Sequence, residues 1–259
     1  MQYLLELAKK AALDASYEIL KHYEDFKIYT KEDNSPLTSA DLAANEIILE
    51  TLKPTGIKIC SEESILSQDE RVNADMFWLI DPLDGTKEFI AKSDEFCICI
   101  ALIKDGRPIL SVIAIPCLKE IFYSSGNGTI YKNHKVLNLD TTPPKILLMG
   151  RHSKSQKGES LAQNFDLNVK HIGSAIKFCR IAENSALVYT RIGPSSIWDI
   201  AAGDFLVEQS GGVTIDLKTM QKPLYNAPTL INNPYLVVNK NTLSKLDEML
   251  EFLNSSIIF

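Results

Sequence analysis

Two carboxylates three positions apart, Asp81 and Asp84, follow the apolar run 76–80. The run predicts a strand that delivers both acids to its C-terminal end, where open α/β sheets commonly place ligand sites. Pro82 lacks a backbone donor, so we expect the strand to end there in a turn. Carboxylates held close together repel each other unless a cation lies between them, and hard oxygen ligands favour Mg²⁺ or Mn²⁺ over Zn²⁺. Taken alone, the same pattern is also typical of an acidic surface turn.

Three further acids occupy positions that suit the same site. Glu62 follows the predicted strand 57–60, and Asp199 begins an alanine-rich helix. Asp41 follows Thr38 by three residues, which is the spacing of a capping box. Each acid also has a purely structural explanation. Glu62 could be a solvated loop residue, Asp199 could compensate the dipole of its helix, and Asp41 could act only as a cap.

Together these acids predict a site for two or three metal ions built entirely from oxygen. Paired metals roughly 3.5–4 Å apart can hold the attacking water and the leaving oxygen of an in-line phosphate displacement. Asp41 and Thr86 have the chemistry to orient that water, and Gly85 leaves room for a phosphate beside the backbone. No G-x-x-x-x-G-K-[ST], G-x-G-x-x-G or G-x-S-x-G motif competes with this interpretation. The predicted ligands are Glu62, Asp81, Asp84, Asp199 and the backbone carbonyl of Leu83.

The composition is that of an acidic globular protein. The chain has 259 residues, of which 45% are hydrophobic, and a formal net charge of −6 at pH 7. This charge argues against a nucleic-acid partner, which needs a basic face, but not against a small phosphorylated substrate beside metal ions. Residues 1–10 lack the pattern of a signal peptide, and no apolar run reaches the length of a membrane span.

The five cysteines lie mostly in apolar segments, so we expect buried free thiols in a reducing compartment. Cys97 and Cys99 form a C-x-C pair on one face of a predicted strand. Because there is no second Cys or His pair at zinc spacing, both are expected to be small core residues rather than metal ligands.

The periodicity of the apolar residues predicts two lobes, each a sheet covered by helices, and therefore a layered α/β (α+β) sandwich. The Thr-Thr-Pro-Pro sequence at 141–144 is the best candidate for a boundary, between lobes 1–142 and 143–259. Asp105 and Gly106 predict a hairpin turn. Helices are predicted at 2–24, 38–52, 155–165, 174–184, 197–210 and 243–253, and strands at 57–60, 77–80, 96–103, 108–115, 120–124, 128–132, 145–149, 168–172, 186–191 and 213–216.

Three motifs in this order resemble the inositol monophosphatase superfamily of Mg²⁺-dependent, lithium-sensitive phosphatases. They are the acidic pair at 62–63, D-P-L-D-G-T at 81–86 and W-D-x-A-A-G at 198–203. Within the superfamily, D-P-L-D-G-T-K-E-F is most similar to the 3′(2′),5′-bisphosphate nucleotidases of the bacterial CysQ type. Inositol monophosphatases typically have D-P-I-D-G-T-T-N-F there. D-N-S-P at 33–36, G-S-A-I-K-F-C at 173–179 and G-P at 193–194 agree with the nucleotidase branch.

The resemblance implies a layered α/β/α/β/α sandwich of the inositol monophosphatase and fructose-1,6-bisphosphatase type, with both lobes forming one functional unit. It places the metal on Glu62, Asp81, Leu83, Asp84 and Asp199, and catalysis on Asp41, Thr86 and Glu62. Substrate contacts fall on Glu62, Leu83, Asp84, Gly85, Thr86, Ser174, Lys177, Arg191 and Asp199.

Three of these substrate contacts belong to the nucleotide side of the expected site. Ser174 is expected to open a helix, and Lys177 and Arg191 to supply charge for a second phosphate. Without the resemblance, Lys177 could equally be a solvated helix residue, and Arg191 a charge at the end of a strand.

The activity implied by the resemblance is Mg²⁺-dependent removal of the 3′-phosphate from adenosine 3′,5′-bisphosphate, and also from its sulfated analogue, within sulfur metabolism. Mn²⁺ is expected to substitute for Mg²⁺. Two alternatives stay open: an inositol monophosphatase acting on inositol 1-phosphate, and a non-catalytic metal or nucleotide sensor on the same fold. The resemblance also implies a cytoplasmic protein, associated peripherally with the inner face of the bacterial inner membrane.

Overall fold

The structure of the protein, a computed structural model, describes residues 1–255. Every helix and strand predicted from the apolar periodicity is present, with ends shifted by a few residues. Two short helices, Gln68–Val72 and Thr86–Ile90, were not predicted. The α-helices are α1 (Gln2–His22), α2 (Ser39–Leu52), α3 (Gln68–Val72), α4 (Thr86–Ile90), α5 (Gln156–Asn164), α6 (Ile176–Ala182), α7 (Ile197–Gln209) and α8 (Leu246–Ser255).

The strands include several that the sequence did not predict, among them both strands of the hairpin near residue 33 and the apolar run Tyr235–Val238. Short 3₁₀ helices span Lys53–Thr55, Pro116–Leu118 and Lys240–Lys245. The strands are β1 (Ile28–Thr30), β2 (Pro36–Thr38), β3 (Lys58–Ser61), β4 (Met76–Asp84), β5 (Cys97–Lys104), β6 (Arg107–Ile115), β7 (Glu120–Ser124), β8 (Tyr131–Lys132), β9 (Lys135–Val136), β10 (Ile146–Gly150), β11 (Asn168–Ile172), β12 (Val188–Arg191), β13 (Ser195–Ser196), β14 (Val213–Asp216), β15 (Ile231–Asn232) and β16 (Tyr235–Val238).

Two large sheets form the frame of the molecule. The first has seven strands in the order β3-β4-β5-β6-β7-β8-β9 and is antiparallel except for the parallel pair β3–β4. The second has five strands in the order β11-β10-β12-β16-β14. In it β10 runs parallel to both of its neighbours, while β16 runs antiparallel to β12 and β14. Strands β1 and β2, and likewise β13 and β15, pair as small ribbons.

Helices cover both sheets, so that five layers alternate. Helices α1 and α2 pack against each other and against one face of the seven-stranded sheet. Helices α6 and α7 lie between the two sheets, and α5 and α8 cover the far face of the five-stranded sheet. The predicted α/β/α/β/α sandwich is therefore confirmed.

The side chains of strand β5 enter two hydrophobic cores, one on each face of the seven-stranded sheet. Cys97, Cys99 and Ala101 belong to the core that contains α6 and α7, whereas Ile98 and Ile100 face the core beneath α1 and α2. Successive side chains of a strand point to opposite faces, so a sheet covered on both sides needs a continuous apolar run. The predicted turn after this strand is also present, because Asp105 and Gly106 both have positive φ, 51° and 77°.

The core between the two sheets joins the two predicted lobes. It contains side chains from both sides of residue 142, such as Phe122 and Tyr189. At the predicted boundary, the Asn184 side-chain amide donates to the carbonyls of Leu139 and Thr141 at 2.9 and 3.2 Å. The division into lobes 1–142 and 143–259 stays a prediction.

Candidate active site

Strand β4 carries two of the predicted acids, but it does not end where we expected. It continues through Pro82 to Asp84, and its register against β5 shifts between Asp81 and Asp84. In this β-bulge Pro82 has no paired residue on β5, so the missing N–H of the proline costs no hydrogen bond between the strands. The Leu83 N–H donates instead to the Asp81 carboxylate at 3.0 Å. The prediction of a turn at Pro82 was wrong. A β-bulge within the strand orients the Asp81 and Asp84 carboxylates instead.

Asp199 enters the same region from helix α7. It is the third residue of that helix, and its carboxylate accepts the Ser196 N–H at 3.0 Å in a capping box. We predicted only dipole compensation as a structural role for Asp199, and the capping box with Ser196 was missed. This capping box fixes the position of the carboxylate. Oxygen atoms of Asp81, Asp84 and Asp199 all lie within 4.8 Å of one another, a group that could hold a metal ion.

Burial and neighbouring acids raise the pKa values of all three carboxyls. Burial and the Asp84 charge raise the pKa of Asp199 to about 8, against the attraction of Arg191. Burial raises the pKa of Asp84 to about 6, although Lys177 and the Ala175 N–H favour its ionised form. Asp81 is 1% exposed, and its burial and the neighbouring acids raise its pKa well above the usual range. Such a cluster is stable in its ionised form only beside a cation.

Glu62 stands at the edge of this cluster. Its N–H donates to the Ile80 carbonyl at 3.1 Å, because β3 and β4 are parallel and end side by side. The Lys31 ammonium lies 2.7 Å from both Glu62 and Glu63. This lysine, from the ribbon β1–β2, was not predicted, because no local pattern links it to an acid 31 residues away. It neutralises part of the acidic charge at the mouth of the site.

Asp41 and Thr86 form a hydrogen-bonded pair beside the carboxylates. The Thr86 hydroxyl lies 3.1 Å from Asp41 Oδ1, to which it donates, and 3.4 Å from the Leu83 carbonyl. The other Asp41 oxygen accepts both the N–H and the hydroxyl of Thr38, which confirms the predicted capping box. Burial raises the pKa of Asp41. The cap therefore fixes Asp41 with one oxygen directed at Thr86.

The predicted site residues converge on one cavity of about 630 Å³. Its lining comes from both large sheets and from the ribbon β1–β2. Asp41 lies behind Thr86 and is not part of the lining. Gly85, with φ 101°, precedes α4, and a Cβ there would be 3.1 Å from the Glu95 carbonyl. The predicted residues in the lining are Glu62, Asp81, Leu83, Asp84, Gly85, Thr86, Ser174, Lys177, Arg191 and Asp199.

The nucleotide-side residues are more constrained than we expected. Lys177 is 2% exposed and donates to the carbonyls of Ile172 and Ser174, so the alternative of a solvated helix residue is wrong. Helix α6 begins at Ile176, so Ser174 precedes the helix rather than opening it. The Arg191 guanidinium donates twice to the Pro194 carbonyl, at 3.1 and 2.7 Å.

A second group of cavity residues was missed by the sequence interpretation. Arg151 and His152 follow the C-terminal end of β10, and they pair with Glu95 and Glu88 respectively. Glu95 also accepts the Gly173 N–H and so links this wall to the loop before α6. Their position directly after a strand, the signal used for Asp81, could have indicated them.

The comparisons with known proteins agree with this geometry. The model of the inositol monophosphatase family matches residues 1–251. This chain belongs to the inositol monophosphatase family. The nucleotidase branch is also supported, because the chain is 36% identical over 219 residues to the 3′(2′),5′-bisphosphate nucleotidase CysQ of Salmonella typhimurium, covering 82% of this chain and 88% of the relative. The CysQ of Escherichia coli K12 is likewise 36% identical over 231 residues, covering 86% and 92%.

Solved structures of the family show the same fold. CysQ from Bacteroides thetaiotaomicron aligns with a TM-score of 0.83 and 32% identity, covering 93% of this chain and 98% of that one. An IMPase from Thermotoga maritima aligns with a TM-score of 0.81 at 20% identity, covering 98% of both chains. The predicted resemblance is thus confirmed. In residues 1–255 of this family member, no helix is both long and apolar enough to span a membrane.

Proposed function

We propose that the protein is a metal-dependent phosphatase that removes the 3′-phosphate of adenosine 3′,5′-bisphosphate, giving AMP and phosphate, with the sulfated analogue as a second substrate. The observation that carries this proposal is a cluster of three carboxylates, one buried and two partly buried, in a cavity that Lys177 and Arg191 also line. The cluster suits hydrolysis of one phosphate, and the cations suit binding of another. The 36% identity to proteins named 3′(2′),5′-bisphosphate nucleotidase supports the choice of substrate.

The donor set fits Mg²⁺. All donors of the acidic cluster are oxygen atoms, and Mg²⁺ prefers carboxylate and carbonyl oxygens to sulfur or imidazole. When bound, Mg²⁺ or Mn²⁺ would stabilise the negative charge that develops on the transferred phosphoryl group. We propose two or three ions, held by Glu62, Asp81, Asp84, Asp199 and the Leu83 carbonyl.

Asp41 and Thr86 are proposed to deprotonate the attacking water. The Thr86 hydroxyl donates to Asp41, so its lone pairs are left to accept a hydrogen bond from water. Asp41 takes up the proton through this hydroxyl, and its raised pKa makes it a stronger base than an exposed aspartate. The capping box with Thr38 prevents the carboxylate from rotating away.

Ser174, Lys177 and Arg191 are proposed to bind the 5′ side of the nucleotide. Within residues 1–255, the Arg191 guanidinium donates to the neutral Pro194 carbonyl and forms no salt bridge with a carboxylate, although its charge favours the ionised forms of Asp84 and Asp199. Lys177 directs two of its donors at carbonyls, and an ammonium has three. A phosphate between these groups would add a negative charge beside Lys177, which favours the ionised form of Asp84, and Arg191, which favours those of Asp84 and Asp199.

The test uses substrates that differ by one phosphate. Adenosine 3′,5′-bisphosphate and adenosine 3′-monophosphate would be assayed with and without Mg²⁺, and inositol 1-phosphate beside them. A charge-assisted contact is worth about 1.5–3 kcal/mol, so Arg191→Ala should lower kcat/KM for the bisphosphate by roughly 10- to 150-fold. The two monophosphates should be affected much less. Lys145→Ala, which removes an exposed lysine paired with Asp166, is the matched control.

Equal losses on all three substrates would contradict the role of Arg191 in binding the second phosphate. A wild-type protein that prefers inositol 1-phosphate would instead support the alternative of an inositol monophosphatase. The absence of any Mg²⁺-dependent phosphate release would reject the phosphatase itself.

We further propose a cytoplasmic location, supported by five free cysteines, of which four are buried. Free thiols persist in reducing compartments, whereas secreted proteins usually pair them. The peripheral association with the inner membrane stays a prediction from the family resemblance.

A further inference from the structure

Cys97 and Cys99 lie at the start of strand β5, directly beside the carboxylate cluster. In the ladder between β4 and β5, Cys97 pairs with Asp84 and Cys99 pairs with Asp81. Both thiols are buried, and residues two apart in a strand point to the same face. The proposed hydrolysis uses neither of them.

The thiols lie close to each other and to the Asp84 carboxylate. The two Sγ atoms are 3.9 Å apart, and Cys97 Sγ lies 3.7 Å from Asp84 Oδ2. The ligand atoms of all three residues lie within 4.8 Å of one another. Ser174 adds a hydroxyl oxygen 3.5 Å from Cys97 Sγ. Both Asp84 and Ser174 line the cavity, so an ion can reach the thiols from that side.

These separations match the edges of a tetrahedral metal site. With Zn–S bonds of about 2.3 Å and Zn–O bonds of about 2.0 Å, tetrahedral angles place two sulfur atoms about 3.8 Å apart and sulfur and oxygen about 3.5 Å apart. The measured Cys97–Cys99 and Cys97–Asp84 distances agree within a few tenths of an ångström. Two of the three separations between the ligand atoms therefore already match such a site, and the third, between Cys99 and Asp84, is within 4.8 Å.

We propose that Cys97, Cys99 and Asp84 bind a thiophilic divalent cation such as Zn²⁺ or Cd²⁺, and that this ion inhibits the enzyme. Binding releases the two thiol protons to the solvent, and the resulting thiolates select soft or borderline metals, whereas the neighbouring oxygen cluster selects hard ones. Asp84 belongs to both sets, so the thiophilic ion removes a ligand from the hard site. The binding stands on the geometry alone, while the inhibition rests on the proposed phosphatase function.

Binding is tested by titrating the full-length, metal-free, reduced protein with Cd²⁺ and recording the ultraviolet charge-transfer band of cadmium thiolate. The wild-type protein should bind Cd²⁺ with a band typical of two thiolates. Loss of a residue that only hydrogen-bonds to a metal ligand typically weakens metal binding by about 10- to 100-fold. Cys97→Ala and Cys99→Ala each remove a direct ligand and should therefore weaken it by at least about 100-fold. Cys117→Ala removes a more accessible thiol that lies outside the cluster and should leave the titration unchanged.

Two alanine variants are used because Cys97 contacts Asp84 and Ser174 as well as Cys99, so that Cys99→Ala removes one thiol while leaving the Cys97 contacts to Asp84 and Ser174 in place. Circular dichroism and thermal unfolding identify any variant that fails to fold. The site is rejected if folded Cys99→Ala binds Cd²⁺ as tightly as the wild type, or if Cys117→Ala alone abolishes the band.

The shared carboxylate is tested by competition. Excess Mg²⁺ should weaken Cd²⁺ binding to the wild type, and Asp84→Asn should both weaken that binding and remove its dependence on Mg²⁺. Zn²⁺ should inhibit phosphate release by Cys99→Ala only at concentrations at least about 10-fold higher than those that inhibit the wild type, each relative to its own zinc-free rate. Equal zinc inhibition of both proteins overturns the inhibitory role even if Cd²⁺ binds. The Cd²⁺ titration needs no phosphatase activity. The proposed metal site can therefore be tested even if the proposed phosphatase function is wrong.

Discussion

Replacing Asp84 by asparagine removes one negative charge from the carboxylate cluster while keeping the shape of the side chain. In the metal-free protein this charge is held close to Asp81 and Asp199. The amide oxygen can still accept the Ala175 N–H that Asp84 accepts now. We therefore expect Asp84→Asn to fold, to be more stable than the wild type without metal, and to be inactive.

The size of the stabilisation follows from the pKa of Asp84. Burial raises this pKa from 3.8 to about 6, despite the opposing charges of Lys177 and Arg191. A folded-state pKa above the unfolded value means that ionisation costs free energy in the folded state, here about 3 kcal/mol. The asparagine amide must also be desolvated, so we expect a net gain of about 1–3 kcal/mol at pH 7. For a chain of this size, that corresponds to roughly 2–4 °C in Tm per kcal/mol.

The stability difference between Asp84→Asn and the wild type should depend on pH. Below about pH 3 the Asp84 carboxyl is neutral in both the folded and the unfolded state, so the stability difference caused by its ionisation should vanish. As the pH rises from about 4 to about 6, the unfolded chain ionises first and the wild type loses stability relative to Asp84→Asn. Above about pH 6 the difference should stay constant. Urea unfolding in EDTA at several pH values measures it.

Saturating Mg²⁺ should reverse the order of stability. A ligand at 100 times its Kd stabilises the folded state by about 2.7 kcal/mol, and we expect the wild type alone to gain this in full. The control Asp166→Asn, which removes an exposed acid outside the cluster, should respond to Mg²⁺ like the wild type. The reasoning is refuted if metal-free Asp84→Asn is less stable than the wild type at pH 7, or if Mg²⁺ stabilises both proteins equally.

Two further predictions concern catalysis and packing. Thr86→Val removes the hydroxyl that donates to Asp41, so kcat should fall by roughly 10²-fold while the Mg²⁺-induced rise in Tm is kept; an unchanged kcat would exclude Thr86 from water activation. Gly203→Ala would place a methyl group against the ring of Phe178 and should cost about 1–3 kcal/mol in urea unfolding. Gly193→Ala, where a Cβ meets open space, should change stability by less than about 0.5 kcal/mol, and similar costs for both would contradict the packing argument.

Much of the site was predictable because its chemistry is encoded locally. Asp81 and Asp84 lie at the C-terminal end of β4, directly after its apolar run, and strand ends in open sheets lie at a common edge. The predicted capping box of Asp41 depends on a spacing of three residues, and the same spacing from Ser196 could have indicated the capping box of Asp199. The turn at Asp105 depends on two adjacent residues with positive φ. In each case the residues involved are only a few positions apart in the sequence, so their spacing determines the geometry.

The five-stranded sheet shows where local pattern fails. The run Tyr235–Val238 was not predicted as a strand, yet it lies between β12 and β14 and is fully buried. Its four residues are too few for periodicity to identify a strand, and its partners lie about 20 to 50 residues away along the chain. The free energy of pairing with both neighbours stabilises it as a strand, and that contribution exists only in the assembled sheet.

The sequence alone therefore determined which groups could act, while tertiary structure decided what each one faces. Lys31 reaches Glu62 only because the ribbon β1–β2 lies over the ends of β3 and β4. Lys177 is buried and bonded to carbonyls rather than solvated, and Cys97 contacts Asp84 through the register of β4 against β5. Residue type fixes charge and ligand softness, which need no fold to be known. Burial, register and hydrogen-bond partners arise from contacts between distant segments, so they are decided only when those segments pack.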